Sequence, residues 1–308
     1  MTLRGVLPVL LTPFLPNGKI DDESLRKEVD FAINAGAAGV CSPAFGSEYY
    51  KLSDPERYEV TRIVVEQPAG RLPVWASTGS GSVHATVEFS RYAESIGATG
   101  VMGVAPKIVP LGLKELTSFY EGVCRSVKIP VMIQDADFTG SGLPADFLVS
   151  LSERFPNFQF AKLESVLVGP KCSDILRLSG GKLQVLYGLG GIALPDGLAR
   201  GACGVTPGVA VTDLYARIFH LWDAGRHEVA KSLFYRFQPY LVFALQHLEL
   251  LIGMEKRILV RRGVLSSDRL RAPTPYFDDQ CWHEAEEWIE FALRLCEEGE
   301  APNIPQGP

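Results

Sequence analysis

Phe158-Gln159-Phe160-Ala161-Lys162-Leu163-Glu164 is a short apolar run with one long amine inside it, and it is the sixth of eight strand-like segments. The others are Gly5–Phe14, Gly39–Ala44, Leu72–Ser77, Gly100–Ala105, Pro130–Ala136, Leu183–Gly188 and Gly204–Ala210. Helical patterns stand between them. The first reads Asp22-Glu23-Ser24-Leu25, then Val29 and Ala32-Ile33, with acids in the first turn and apolar residues at three-to-four spacing. Similar patterns cover Asp54–Glu66, Ser82–Ile96, Gly112–Val127, Ala145–Phe155 and Ser173–Leu178. Glycine breaks such as Ala35-Gly36 and Ile96-Gly97 supply left-handed caps before strands. Eight such units predict an α/β chain folded as a (β/α)8 TIM barrel. An open doubly wound sheet is the alternative, but no G-x-G-x-x-G follows an early strand, and Gly79-Ser80-Gly81 reads as a loop.

At 308 residues the chain suits one large barrel or two ordinary domains. The formal charge of −6 argues against a nucleic-acid footprint. No apolar run approaches the roughly 20 residues of a membrane span. The start, Met-Thr-Leu-Arg-Gly, leads directly into a strand pattern, so no signal peptide is expected. The six cysteines (41, 124, 172, 203, 281, 296) form no C-x-x-C pair and read as reduced small hydrophobes of a cytoplasmic protein. The five histidines lack ligand spacing, so neither a metal nor a cofactor is expected.

Beyond the eighth strand lie helical patterns at Asp213–Ala224, His227–Gly253 (one helix or two) and Asp279–Glu298. The predicted organisation is a barrel over residues 1–224, a C-terminal helical bundle over 225–298 packed on it, and a disordered tail over 299–308. No linker separates the bundle as an independent unit.

Barrel sites lie at the carboxyl ends of the strands. Those positions hold Phe14; Phe45-Gly46-Ser47-Glu48; Thr78-Gly79; Pro106-Lys107; Gln134-Asp135; Lys162 and Glu164; Gly188-Leu189-Gly190-Gly191; and Thr206-Pro207-Gly208. An amine in an apolar strand is costly to bury in its charged form, the property a Schiff-base lysine exploits. The plainer reading of Lys162 is a frayed strand end neutralised by Glu164. Strand alternation puts Lys162 and Glu164 on the barrel-facing side, about 6.6 Å apart along the strand, with Glu164 nearer the mouth. Glu164 is then either a proton-moving group or a counter-ion.

In Phe45-Gly46-Ser47, the Gly46-Ser47 turn offers two amides and a hydroxyl for a carboxylate, or is an ordinary turn. Gln134, inward-facing, is expected on substrate hydroxyls, because a buried amide needs partners. Gly188 and Gly190 either admit a polyol close to the backbone or form a tight strand-to-helix loop, and Thr206 ends the eighth strand. Tyr49-Tyr50 read as packing residues.

These segments resemble the dihydrodipicolinate synthase / N-acetylneuraminate lyase family of Schiff-base aldolases and lyases. The resemblance rests on Thr12-Pro13-Phe14 with Gly18 and Ile20-Asp21, on Glu48 with Leu52-Ser53 and Glu56-Arg57, on Pro130-Val131-Met132-Ile133 with Thr139-Gly140, and on Phe160-Ala161-Lys162. It covers nearly the whole chain in order. It implies Lys162 as the imine lysine, a 2-keto acid substrate, and a homo-oligomer, dimer or tetramer.

The departures are specific. Ala44-Phe45-Gly46 stands where the family has a glycine-threonine-threonine loop, and Gln134 where it has a proton-relaying tyrosine. Lys107-Ile108 replaces a tyrosine pair, and no arginine lies near Phe138 to grip a second carboxylate. The expected function is therefore an imine-forming lyase, aldolase or dehydratase acting on pyruvate or a 2-keto-3-deoxy sugar acid. The alternatives are dihydrodipicolinate synthase itself and a barrel that binds a small acid without turnover.

Overall fold

The computed structural model describes residues 3–106 and 109–298. The Lys107-Ile108 pair and the tail expected over 299–308 lie outside the described residues. Eight parallel strands run β1 (Gly5–Val6), β2 (Val40–Ser42), β3 (Val74–Ser77), β4 (Gly100–Gly103), β5 (Val131–Asp137), β6 (Phe158–Ser165), β7 (Gln184–Tyr187) and β8 (Gly204–Val205). Ladders join β2 through β8 in order and β8 to β1. A parallel bridge between Val9 and Cys41 closes the ring. This is the (β/α)8 barrel that the eightfold alternation predicts.

The helices between strands are α1 (Asp22–Asn34), α2 (Asp54–Glu66), α3 (Val83–Ser95), α4 (Leu113–Ser126), α5 (Ala145–Arg154), α6 (Val168–Leu178) and α7 (Leu194–Arg200). After β8 come α8 (Thr212–Asp223), α9 (His227–Ala244), α10 (Leu248–Arg261) and α11 (Asp279–Glu297). Local chemistry sets several starts. Asp21 accepts the Ser24 amide at 3.1 Å at the head of α1, and Glu56 reaches back to the Ser53 amide at 2.9 Å at the head of α2.

The first and last strands are shorter than the apolar runs suggest. Pro8 and Pro207 carry no amide hydrogen, so the ladders stop before them, and their carbonyls serve the barrel instead. The Pro8 carbonyl accepts from Cys41 at 2.9 Å, and that of Pro207 from Val9 at 2.8 Å. The helical pattern at Ser173–Leu178 extends back to Val168, because Pro170 falls in the first turn, where its missing N–H leaves no bond unmade.

Strand alternation sorts the core into two parts. Val9, Cys41, Trp75, Met102, Met132 and Phe160 pack with one another inside the barrel. The opposite parity, including Ala161 and Leu163, packs outward under the helices. Among the described residues no helix is long and apolar enough to cross a membrane.

Candidate active site

β6 places the Lys162 amine. Phe160 belongs to the barrel interior, so Lys162 and Glu164, two and four residues on, also face inward. Lys162 is 2% exposed, and its Nζ lies 3.2 Å from Glu164 Oε1. Glu164 collects two further donors. Gln134 Nε2, from the neighbouring strand, donates to Oε2 at 2.6 Å, and the Leu189 amide donates to Oε1 at 2.9 Å. Gly188 makes this possible, because a Cβ there would collide with the Glu164 side chain, so the backbone after β7 wraps directly around the carboxylate.

Phe45, Gly46, Lys162, Glu164, Gly190 and Thr206 line one cavity, which holds about 570 Å³ of space including its open mouth. Ser47, Gln134 and Gly188 are not among its described walls. The hydroxyl of Ser47, expected to hold a carboxylate, is spent on the protein: it donates to the Leu10 carbonyl and accepts the Ala44 amide at 2.9 Å. The Ser47 amide is likewise turned to the Ala44 carbonyl at 2.9 Å. Ser47 therefore fastens the turn to the chain after β1 rather than offering it to a ligand. Gln134 does the same for Glu164, where substrate hydroxyls were expected, and Gly188 gives its space to Glu164 rather than to a polyol. Leu189, Gly190 and Gly191 all take left-handed backbone (φ 49°, 61° and 73°), and the Gly190 carbonyl accepts from the Tyr215 hydroxyl.

Sequence reasoning missed the walls supplied from outside the barrel strands. Leu245, Leu248, Leu251, Ile252 and Glu255 come from the α9–α10 region and cover the mouth, and Phe138 comes from the loop after β5. Phe138 sits edge-on to Phe45 with ring centres 6.1 Å apart. Glu255 is 2% exposed; it accepts the Ala210 amide at 2.7 Å and lies 3.4 Å from the Tyr240 hydroxyl. Burial pushes its carboxyl up to about 7, against the pull of the Ala210 amide. Gly208 lacks the Cβ that would strike it. A usable signal was present in the sequence: Leu250-Leu251-Ile252-Gly253-Met254 and Ile258-Leu259 make a helix apolar on all sides, so Glu255 and Lys256 between them must be buried with partners.

Lys256 finds one in Glu48, with Nζ–Oε1 2.6 Å and neither side chain exposed. Glu48 also accepts from Lys51 at 3.1 Å and from the Arg271 amide at 3.0 Å, and it holds a left-handed backbone (φ 55°) directly after the Phe45–Ser47 turn. Burial lowers the Lys256 pKa while Glu48 raises it. The pair thus ties the turn that carries Phe45 and Gly46 to the helix that covers the cavity. None of the described cavity walls is a tyrosine or an arginine.

This geometry can be set beside known proteins. A profile described as the Dihydrodipicolinate synthetase family matches residues 2–291. An L-2-keto-3-deoxyarabonate dehydratase from Azospirillum brasilense is 31% identical over 276 residues, 88% of this chain and 89% of that protein. A 4-hydroxy-tetrahydrodipicolinate synthase from Methanococcoides burtonii is 30% identical over 239 residues, 77% of this chain and 81% of its own length. Among solved structures, a dihydrodipicolinate synthase from Rhodopseudomonas palustris superposes with a TM-score of 0.86 at 24% identity, covering 94% of this chain and 99% of that one. A chloride-inhibited dihydrodipicolinate synthase from Acinetobacter baumannii complexed with pyruvate gives 0.84 at 20% identity, with 95% and 99% covered.

Proposed function

The chain belongs to the Dihydrodipicolinate synthetase family of Schiff-base enzymes, and from that premise we propose that it is an imine-forming lyase acting on a 2-keto acid. The observation that carries the reading is the Lys162–Glu164 pair, Nζ and Oε1 3.2 Å apart, in the wall of the cavity.

In this reading the neutral amine of Lys162 adds to the C2 carbonyl carbon. The carbonyl oxygen leaves as water after protonation, and the protonated imine draws electron density from C3. Breaking the C3–C4 bond then gives an aldol cleavage, whereas loss of a C3 proton and a leaving oxygen gives a dehydration. Either course needs a group that moves protons close to Nζ. Glu164 holds that place, fixed by Gln134 and the Leu189 amide. The 31%-identical relative is a dehydratase of a 2-keto-3-deoxy acid, which makes dehydration one candidate course. The turn at Phe45-Gly46, together with Gly190 and Thr206, supplies substrate-binding walls in this reading. The reading carries with it a cytoplasmic homo-oligomer of two or four copies, checked by native mass.

Borohydride reduction with pyruvate tests the reading directly. One covalent adduct on Lys162 is expected by mass spectrometry. An equal adduct in Lys162→Ala would remove Lys162 from its role. Dihydrodipicolinate synthase is the second reading, favoured by the name of the Methanococcoides relative. Against it stands a cavity whose described walls hold no arginine for a second carboxylate. Incubation with pyruvate and aspartate semialdehyde decides between the two. A trapped imine with no turnover on any 2-keto acid would leave only a binding barrel.

A further inference from the structure

The far wall of the cavity differs in character from the floor at Lys162 and Glu164. Phe45 and Phe138 form one side, and Leu245, Leu248, Leu251 and Ile252 form the cover. Apart from Lys162 and Glu164, the polar side chains in the described walls are Thr206 and Glu255. Both are engaged within the protein: the Thr206 hydroxyl lies 3.4 Å from the Tyr187 carbonyl, and the Glu255 oxygens face the Ala210 amide and the Tyr240 hydroxyl. Gln134 and Ser47, the amide and hydroxyl best suited in sequence to a polyol, are bonded to Glu164 and to Leu10. A hydroxyl placed against the leucine cover leaves its water partners and gains none, whereas an alkyl or aryl group there gains by leaving water. Phe138, 49% exposed at the mouth, stands edge-on to Phe45 and offers such a group a second aromatic contact.

We propose that this site takes 2-keto acids whose far end is an alkyl or aryl group, and that the bond it makes or breaks joins C3 of a pyruvyl unit to the carbonyl carbon of an apolar aldehyde. The inference rests on the imine reading given above. In the synthetic direction the pyruvate imine at Lys162 loses a C3 proton and becomes an enamine. The C3–C4 bond forms as the aldehyde C=O opens, and the aldehyde oxygen takes a proton to become a hydroxyl. Water then adds to the imine and releases the 4-hydroxy-2-keto acid and the free amine, so no redox partner is needed.

The test uses the full chain. Borohydride trapping with pyruvate first establishes the imine. Benzaldehyde and butanal are then compared with glycolaldehyde and glyceraldehyde as partners for pyruvate, and a hydroxylated 2-keto-3-deoxy acid is offered for dehydration. The apolar aldehydes are expected to give kcat/KM about 100-fold above the hydroxylated ones, the usual reach of an apolar pocket against an added hydroxyl. Phe138→Ser and Leu248→Asn should each narrow that ratio by about tenfold. If pyruvate is trapped on Lys162 but the hydroxylated partners or the sugar acid are used as well or better, or no aldehyde is used, the apolar assignment is wrong and the imine reading stands. If pyruvate is not trapped, both fall together.

Discussion

Glu164 receives three donors: the Lys162 amine, the Gln134 amide and the Leu189 backbone N–H. An arrangement that only neutralised Lys162 would need the first alone. Two further bonds, one from β5 and one from the turn after β7, fix the carboxylate's orientation, as a proton-transfer group requires. Glu164→Gln should therefore leave borohydride trapping largely intact while turnover falls about 100- to 10,000-fold. Unchanged turnover of a 2-keto acid in the absence of borohydride would reduce Glu164 to a counter-ion. Glu255 makes a separate prediction at the same scale. Its carboxyl is held at about 7 by burial, above the ordinary value of 4.5 that it regains on unfolding. Between those two values the folded chain holds a proton that the unfolded chain does not, so stability falls as pH rises from about 4.5 to about 7. The loss attributable to this group is on the order of 3 kcal/mol. Urea unfolding from about pH 5 to 8 should show Glu255→Gln flatter than the parent by that order, since a glutamine oxygen still accepts the Ala210 amide. Parallel pH profiles of the two proteins would contradict it.

At the scale of elements, α10 does more than cover apolar surface. Lys256 on α10 and Glu48 after the Phe45–Ser47 turn form a fully buried pair, with Lys256 Nζ also donating to the Arg269 carbonyl at 2.8 Å. Removing Lys256 leaves the buried Glu48 with only Lys51 and the Arg271 amide to balance it, and removing Glu48 leaves the buried Lys256 amine without its carboxylate. Lys256→Met should destabilise the chain by about 3–5 kcal/mol, and adding Glu48→Gln should recover part of that. A thermal-shift series in which Lys256→Met costs under about 1 kcal/mol would refute the clamp. The elements were legible in the sequence to different degrees, for physical reasons. The barrel helices α1 to α5 follow from apolar periodicity, with acidic first turns in all of them but α3. α7 escaped because Leu194-Pro195-Asp196-Gly197-Leu198-Ala199-Arg200 is one short helix with a proline and a glycine in it, which reads as a loop. The break between α9 and α10 has no glycine or proline to mark it; it falls at Leu245-Gln246-His247, where the His247 ring accepts the Glu249 amide. Lys162 and Glu164 could be paired from strand parity alone. That Leu248, Ile252 and Glu255 would share their cavity could not, because where a C-terminal helix comes to rest is a tertiary fact with no local pattern.

At the scale of the whole molecule, the segments after β8 are bound into the barrel at several separate places. Glu255 holds the Ala210 amide beyond β8, and Lys256 holds Glu48 beyond β2. Past α10, the Ser266 hydroxyl donates to Asp21 at 2.5 Å, and Arg271 grips Glu56 with both terminal nitrogens, at 2.7 and 2.8 Å. That last contact holds the Glu56 carboxyl down at about 2. These ties reach the starts of α1 and α2 and the turns after β2 and β8, so α10 and the chain beyond it cannot lift away without undoing barrel structure that Lys162 depends on. Unfolding should then be one cooperative event despite a length at which separate domains are common. Calorimetry should give a single transition whose van't Hoff and calorimetric enthalpies agree. Loss of near-ultraviolet signal from Trp282 and Trp288 on α11 should coincide with that from Trp75 inside the barrel, resolved by single tryptophan-to-phenylalanine replacements. An early transition confined to the α11 tryptophans would show the C-terminal helices to be a separate unit. In that case Leu248, Ile252 and Glu255 would leave the cavity while the barrel stayed folded, and imine trapping at Lys162 would persist without the apolar cover.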